Sequence, residues 1–163
     1  RLVDEEDADE VELGFEGNSG LARKGGVTLV MRLIEGEFPS YRQVIPDDIK
    51  RPFTLTAEPF TRALRRVALL SAERSRAIKL DLSDGTLLIS SSNPDLGEAS
   101  EELDFDYAGE AVSVGFNARY LLDALGALGA KEVTLGLQDG NTAVEIRPTD
   151  DADSVAIVMP MRI

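Results

Sequence analysis

From Lys131 to Pro148, apolar and polar positions alternate: Val133, Leu135 and Leu137 against Glu132, Thr134 and Gly136, then Val144 and Ile146. A period of two gives a strand one apolar face and one wet face. Between the two runs, Asp139-Gly140-Asn141 tolerate the backbone angles of a tight turn, so the stretch predicts a β-hairpin. Strand, Asp-Gly turn and strand recur from Ala77 to Ile89, and Glu10 to Phe15 followed by Glu16-Gly17-Asn18 is a third echo. Recurrence of this kind marks a duplicated supersecondary unit.

The remaining elements follow in chain order. A strand is expected over Val11 to Phe15, then a Gly-rich turn from Gly17 to Gly25, then a strand over Val27 to Ile34. The Gly25-Gly26 pair lacks the surrounding residues of a phosphate-binding loop and reads as a turn. Glu35 to Tyr41 is irregular, with Phe38 and Tyr41 as aromatic anchors, and Ile45-Pro46-Asp47-Asp48 interrupts both periods like a domain boundary. Pro52 to Thr56 predicts a strand, and about Glu58 to Ser71 a helix with Thr56 as its N-cap and Pro59 in the first turn. Phe60, Ala63, Leu64, Val67 and Ser71 share one face of that helix.

After the Asp84-Gly85 hairpin a loop is expected over Asn93 to Ala99, a strand over Glu101 to Tyr107 and another over Ala111 to Gly115. A second helix runs from an Asn117 cap to about Leu128 and closes on Gly129, with Tyr120, Leu121, Ala124, Leu125 and Leu128 as its core stripe. A last strand, Ser154 to Met159, stops at Pro160. Residues 52–107 and 110–159 thus each read strand, helix, strand, strand, strand: an α+β fold of duplicated βαβββ units, with two helices on one side of antiparallel sheets. Residues 9–34 match only the second half of such a unit, so the chain is expected to be a fragment that begins inside a domain.

Composition narrows the chemistry. The 163 residues, 43% hydrophobic, suffice for one substantial core or two small ones, and no apolar run approaches a membrane span. Zero cysteines exclude a disulfide framework and thiolate chemistry, and a reducing, cytoplasmic setting is expected. Zero histidines remove Ser-His-Asp catalysis and His-bearing zinc sites. The acidic stretch Arg1 to Ala8 lacks the spacing and central glycine of a calcium loop and reads as solvated chain. A net charge of -13 argues against tight nonspecific binding to a polyanion.

Against that total, Arg62, Arg65 and Arg66 point away from the first helix's apolar stripe, and Arg74 and Arg76 follow closely. This face is either a solvated basic surface or a weak, mobile contact with phosphates, since no aromatic or amide group is interleaved to read a base. Leu69 lies on the same face, next to Leu70, where a protein interface is one reading. Met159 and Met161 flank Pro160 near the end of the chain, as core filling or as an adaptable apolar edge.

In order along the chain stand Leu33-Ile34-Glu35-Gly36-Glu37-Phe38-Pro39-Ser40-Tyr41-Arg42, Ala68-Leu69-Leu70-Ser71, Ser92-Asn93-Pro94, Gly115-Phe116-Asn117 with Tyr120-Leu121, and Val158-Met159-Pro160-Met161-Arg162-Ile163. With these motifs the chain resembles the C-terminal part of the bacterial DNA sliding clamp, the beta subunit of the replicative DNA polymerase III holoenzyme. The resemblance implies a non-catalytic processivity subunit without a cofactor. Three domains per subunit would pair head to tail, as a homodimer, into a ring around duplex DNA, held without sequence specificity. Residues 1–46 would end the middle domain and 47–163 form the third. Arg62, Arg65 and Arg66 would face the DNA, and Leu69, Leu70, Glu98 and Glu101 the next subunit.

The resemblance also implies an apolar groove made by Pro39, Val44, Asn117, Tyr120, Ala143, Ile157, Met159, Pro160, Met161 and Arg162. It would take short linear peptides from the replicative polymerase, the clamp loader and repair polymerases. Gln43, Ser75 and Asn141 depart from residues common in the family, arginine, a bulky aromatic and an apolar side chain respectively, which bears on partner preference. Two other readings are a peptide-binding domain that is no clamp, and an enzyme whose two carboxylates converge in a cleft.

Overall fold

The computed structural model describes residues 10–37, 40–46, 49, 51–71, 76–137 and 139–163. The chain divides into two compact units, Arg1–Ser40 and Tyr41–Ile163. In the first, β1 (Glu12–Glu16), β2 (Ser19–Lys24) and β3 (Val27–Arg32) form an antiparallel sheet in that order. The expected Gly17 to Gly25 turn is not one turn, because it contains β2. Two two-residue turns, with positive φ at Gly17 and Gly25, bracket a strand whose small and charged residues hide its alternation. At Gly20 an added Cβ would stand 3.1 and 3.2 Å from Met31 and Leu33 side-chain carbons, tight enough that these must give a few tenths of an ångström.

In the second unit, a 3-10 turn at Tyr41–Gln43 precedes β4 (Pro52–Thr56), α1 (Ala57–Ala68), β5 (Ala77–Ser83), β6 (Thr86–Asn93) and β7 (Gly97–Asp104). Then come β8 (Val112–Asn117), α2 (Ala118–Leu128), β9 (Glu132–Gly136), β10 (Val144–Pro148) and β11 (Ala156–Val158). Each repeat is therefore βαβββ, as the sequence predicts. The loop expected over Asn93 to Ala99 and the strand over Glu101 to Tyr107 are both displaced. The turn is only Pro94 to Leu96, and β7 begins at Gly97, whose positive φ starts the return against β6. Asn93 stabilises this turn by accepting hydrogen bonds from the Asp95 and Leu96 amides at its side-chain oxygen.

The repeats exchange their first strands. Sheet order is β11-β10-β9-β4 in one sheet and β7-β6-β5-β8 in the other, so β4 completes the second repeat's sheet and β8 the first's. Neither repeat can complete its sheet alone. Phe53 of β4 packs against Phe105 and Tyr107, which follow β7, at ring-centroid separations of 5.3 and 6.2 Å, joining the two sheets at one seam.

Both helices lie on the same side, α1 against β5 to β7, α2 against β8, β10 and β11, and each against the other. Phe60, Ala63, Leu64, Val67 and Ser71 are buried as the helical stripe requires. Burying a large apolar side chain of that set stabilises by about 1.5–3 kcal/mol. Regular α-helix ends at Ala68, short of the expected Ser71, because Leu69, Leu70 and Ser71 donate to carbonyls three residues back in a tighter final turn.

Thr56 occupies the N-cap position of α1, but its side chain makes no capping hydrogen bond, contrary to expectation. Asn117 does cap α2, accepting from the Arg119 amide at 2.9 Å, and Gly129 closes that helix in the left-handed region. Tyr120 is not in the core stripe: it is 59% exposed, whereas Leu121 and Leu125 are buried. One residue turns a helix by about 100°, which carries Tyr120 off the edge of the stripe.

Candidate functional site

The C-terminal segment joins the edges of the two sheets. Val158 of β11 pairs with Val144 of β10, and three residues later Met161 forms an isolated antiparallel bridge with Gly115 of β8. Only Met159 and Pro160 lie between these anchors. Carrying the first register one residue further faces Ala143 with Met159. Carrying the second two residues the other way faces Asn117 with Met159 as well. Of the sequence-predicted residues, Ile157 pairs with Glu145 and Met161 with Gly115, while Asn117, Ala143, Met159 and Pro160 lie within two residues of these pairings along the chain and Tyr120 three residues beyond Asn117.

The seam has the physical character of an apolar contact surface. Met159 is 58% exposed and Tyr120 stands out to a similar extent, while Ile157, Pro160 and Met161 are half-buried and Arg162 is exposed. Ala143 is buried. Asp139 orders the loop before it by accepting from the Asn141 and Thr142 amides, both at 2.8 Å. Beneath the seam, the Glu145 carboxylate is buried next to Ile157 in the strand pairing and is paired with the Arg147 guanidinium, which also donates to the Ala152 carbonyl.

Val44 is exposed and donates its amide to the Tyr41 carbonyl. Among the described residues, neither strand pairing nor a backbone hydrogen bond joins it to the tail. Gln43 ends the 3-10 turn. Pro39, Phe38, Arg74, Ser75 and the acidic stretch Arg1 to Ala8 lie outside the described residues.

On α1, Arg62, Arg65 and Arg66 are all exposed, as expected, but differently engaged. Arg62 lies 3.6 Å from Glu58, one turn back. Arg66 makes a two-pronged pair with Glu101 of β7, Nε to one carboxylate oxygen and a terminal nitrogen to the other at 2.6 Å. The hydrogen bonds from Arg66 hold the Glu101 carboxyl below its ordinary value, and the same bonds raise the guanidinium's. Arg65 makes no ion pair among the described residues, so its charge is the least compensated of the three. Sequence reasoning placed Glu101 and Arg66 on separate surfaces; the structure couples them, a link between elements 35 residues apart that periodicity does not encode.

Leu69 is 77% exposed and Leu70 half-buried, and Glu98 is exposed beside Ser92, its partner across the strands. A shallow concavity of about 350 Å3 runs past Leu69 between the end of α1 and the start of α2, lined also by Arg76 and Arg119. Another, about 330 Å3, lies between Ile163 and β7, with Ser90, Ser92 and Ser100 on its walls. Among the described residues no group of histidines, cysteines or carboxylates is placed to hold a metal, and no helix is long and apolar enough to cross a membrane.

Comparison with known proteins agrees with this fold. The sequence model described as "DNA polymerase III beta subunit, C-terminal domain" matches residues 42–162. The Beta sliding clamp of Pseudomonas aeruginosa is 37% identical over the whole chain, which spans 44% of that relative's length. The Beta sliding clamp of Escherichia coli is 34% identical over 94% of the chain and 41% of its own. Among solved structures, a DnaN sliding clamp from Pseudomonas aeruginosa bound to griselimycin superposes with a TM-score of 0.86 at 36% identity, covering 98% of this chain and 43% of that one. A C. crescentus beta sliding clamp, with PEG bound to its putative beta-motif tethering region, gives 0.86 at 34% identity, covering 94% of this chain and 41% of its own. The chain belongs to the bacterial beta sliding clamp family, the beta subunits of DNA polymerase III.

Proposed function

We propose that this chain serves as part of a processivity clamp of bacterial DNA replication, a non-catalytic protein that encircles duplex DNA and tethers its partners by short peptides. The chain spans less than half the length of the relatives it matches, so the ring belongs to the longer protein. In this reading residues 1–46 end the middle domain and 47–163 make up the third, and two full-length subunits close the ring in the cytoplasm.

The observation that supports it most is the crossing of the C-terminal segment from β11 to β8. It leaves Met159 exposed, and Tyr120 of α2 and Arg162 are exposed as well. An apolar pocket supplies affinity and the polar groups set peptide direction, so polymerase, clamp loader and repair polymerases compete for one site. Arg62 and Arg65 turn toward the phosphates, while the acidic total keeps binding loose enough to slide.

Topological retention is the test. The full-length clamp carrying this segment, loaded on closed circular duplex, should remain bound through a high-salt wash and fall off when the circle is cut. Retention that ends in high salt on the intact circle would replace encirclement with ordinary electrostatic binding.

A further inference from the structure

We infer that Gly115 is a positioning residue for the peptide-binding tail: with no side chain there, Met161 and Ile163 lie flat on β8, and that contact holds Met159 and Pro160 in place. The inference rests on the groove reading above and adds a residue outside the groove.

Gly115 lies between Val114 and Phe116, both buried in the core, so it presents to the opposite face of the sheet. Its cross-strand neighbour on that face, Lys79, is exposed, yet Gly115 itself is buried. The tail covers it. The Met161 amide donates to the Gly115 carbonyl at 2.9 Å. A Cβ built on Gly115 would stand 2.6 Å from the Met161 carbonyl oxygen and 2.9 and 3.0 Å from two Ile163 side-chain carbons. The first of these is backbone, which cannot rotate away. The backbone angle of Gly115 is outside the left-handed region, so the glycine is needed for space and not for conformation.

From Val158, held by β10, to Met161, held by β8, are three residue steps, an extended reach of at most about 11 Å. With only two residues between the anchors, a shift at Met161 is passed to Met159 and Pro160. Pro160 has no amide hydrogen to form a substitute ladder bond, so the Gly115 contact is the anchor beyond it.

The test compares the chain with its Gly115→Ala variant, labelled with 13C at the methionine methyls. Three methionines, Met31, Met159 and Met161, give separable reporters. The probe is a synthetic peptide ending in two large apolar residues, with its scrambled form as control. Gly115→Ala should shift the Met159 and Met161 signals, leave Met31 in place and weaken peptide binding at least about tenfold.

Deleting Met161–Ile163 removes the three atoms nearest to the new methyl. In that background Gly115→Ala should leave the denaturation midpoint unchanged, and if Gly115→Ala alone unfolds the chain, the deletion should restore the fold. Unmoved Met159 and Met161 signals, unchanged affinity in the variant, or a deletion that fails to rescue would each overturn the positioning role. Failure of the unsubstituted chain to bind the peptide would instead overturn the groove reading, and with it the purpose given to this contact.

Discussion

The Arg66 guanidinium grips the Glu101 carboxylate with two parallel hydrogen bonds, fastening the outer flank of α1 to the edge strand β7. The pair joins a residue assigned to the DNA face with one assigned to a subunit contact. Its consequences are testable in both directions.

Acid should uncouple it. The Arg66 hydrogen bonds hold the Glu101 carboxyl below its ordinary 4.5, with partial desolvation opposing and the guanidinium charge assisting. A carboxyl depressed in the folded state contributes stability that is complete above the unfolded value and disappears as pH falls through the folded one. Urea denaturation of the wild type and Glu101→Gln should therefore differ at neutral pH and converge as the pH drops below 4.5. Divergence on acidification would have the wrong sign.

The same pair divides the basic face. Arg66 already has a carboxylate, whereas Arg65 has no ion pair among the described residues. In the full-length clamp, Arg65→Ala should lower the magnitude of the log affinity against log salt slope by about 0.9 for each phosphate that is no longer neutralised. Glu101→Gln should strengthen DNA retention at low salt by releasing Arg66. Equal losses from Arg65→Ala and Arg66→Ala would show that the pairing does not bias the face.

The two helix starts should respond unequally to alanine. Asn117 caps α2 with its side chain, and Asn117→Ala should cost about 0.5–2 kcal/mol in thermal or chemical denaturation. Thr56 makes no such bond, and Thr56→Ala should fall below that range, about 0.5 kcal/mol or less. A larger loss at Thr56 than at Asn117 would contradict the observed capping.

Much of this fold is legible in the sequence because its elements are strongly periodic and well punctuated. Asn117 and Gly129 bracket α2 within a residue, and β4 falls on Pro52–Thr56 as expected. Periodicity failed where the chain is short of large side chains: β2 carries only Leu21 among small and charged residues, and the start of β7 is Gly97-Glu98-Ala99. Tyr120 looked like core because one more large side chain fits the edge of a helical stripe, and only packing shows which edge residue is left outside.

The site was legible by resemblance more than by pattern. No local rule says that Met161 returns to Gly115, or that β4 and β8 change sheets, since these are pairings between distant segments. Gly115 was expected to end its strand, whereas β8 continues to Asn117, which puts the glycine inside a regular strand, where it marks close backbone approach.

The most direct measurement is calorimetry of the apolar-ended peptide with the wild-type chain and with Met159→Glu. Met159 is largely exposed, so the fold should survive the substitution, verified by an unchanged denaturation midpoint. Placing a carboxylate in the apolar seam should weaken binding by at least tenfold, about 1.4 kcal/mol. Equal affinity of the two proteins for the peptide, with both folded, would contradict the claim that the C-terminal crossing is where partners dock.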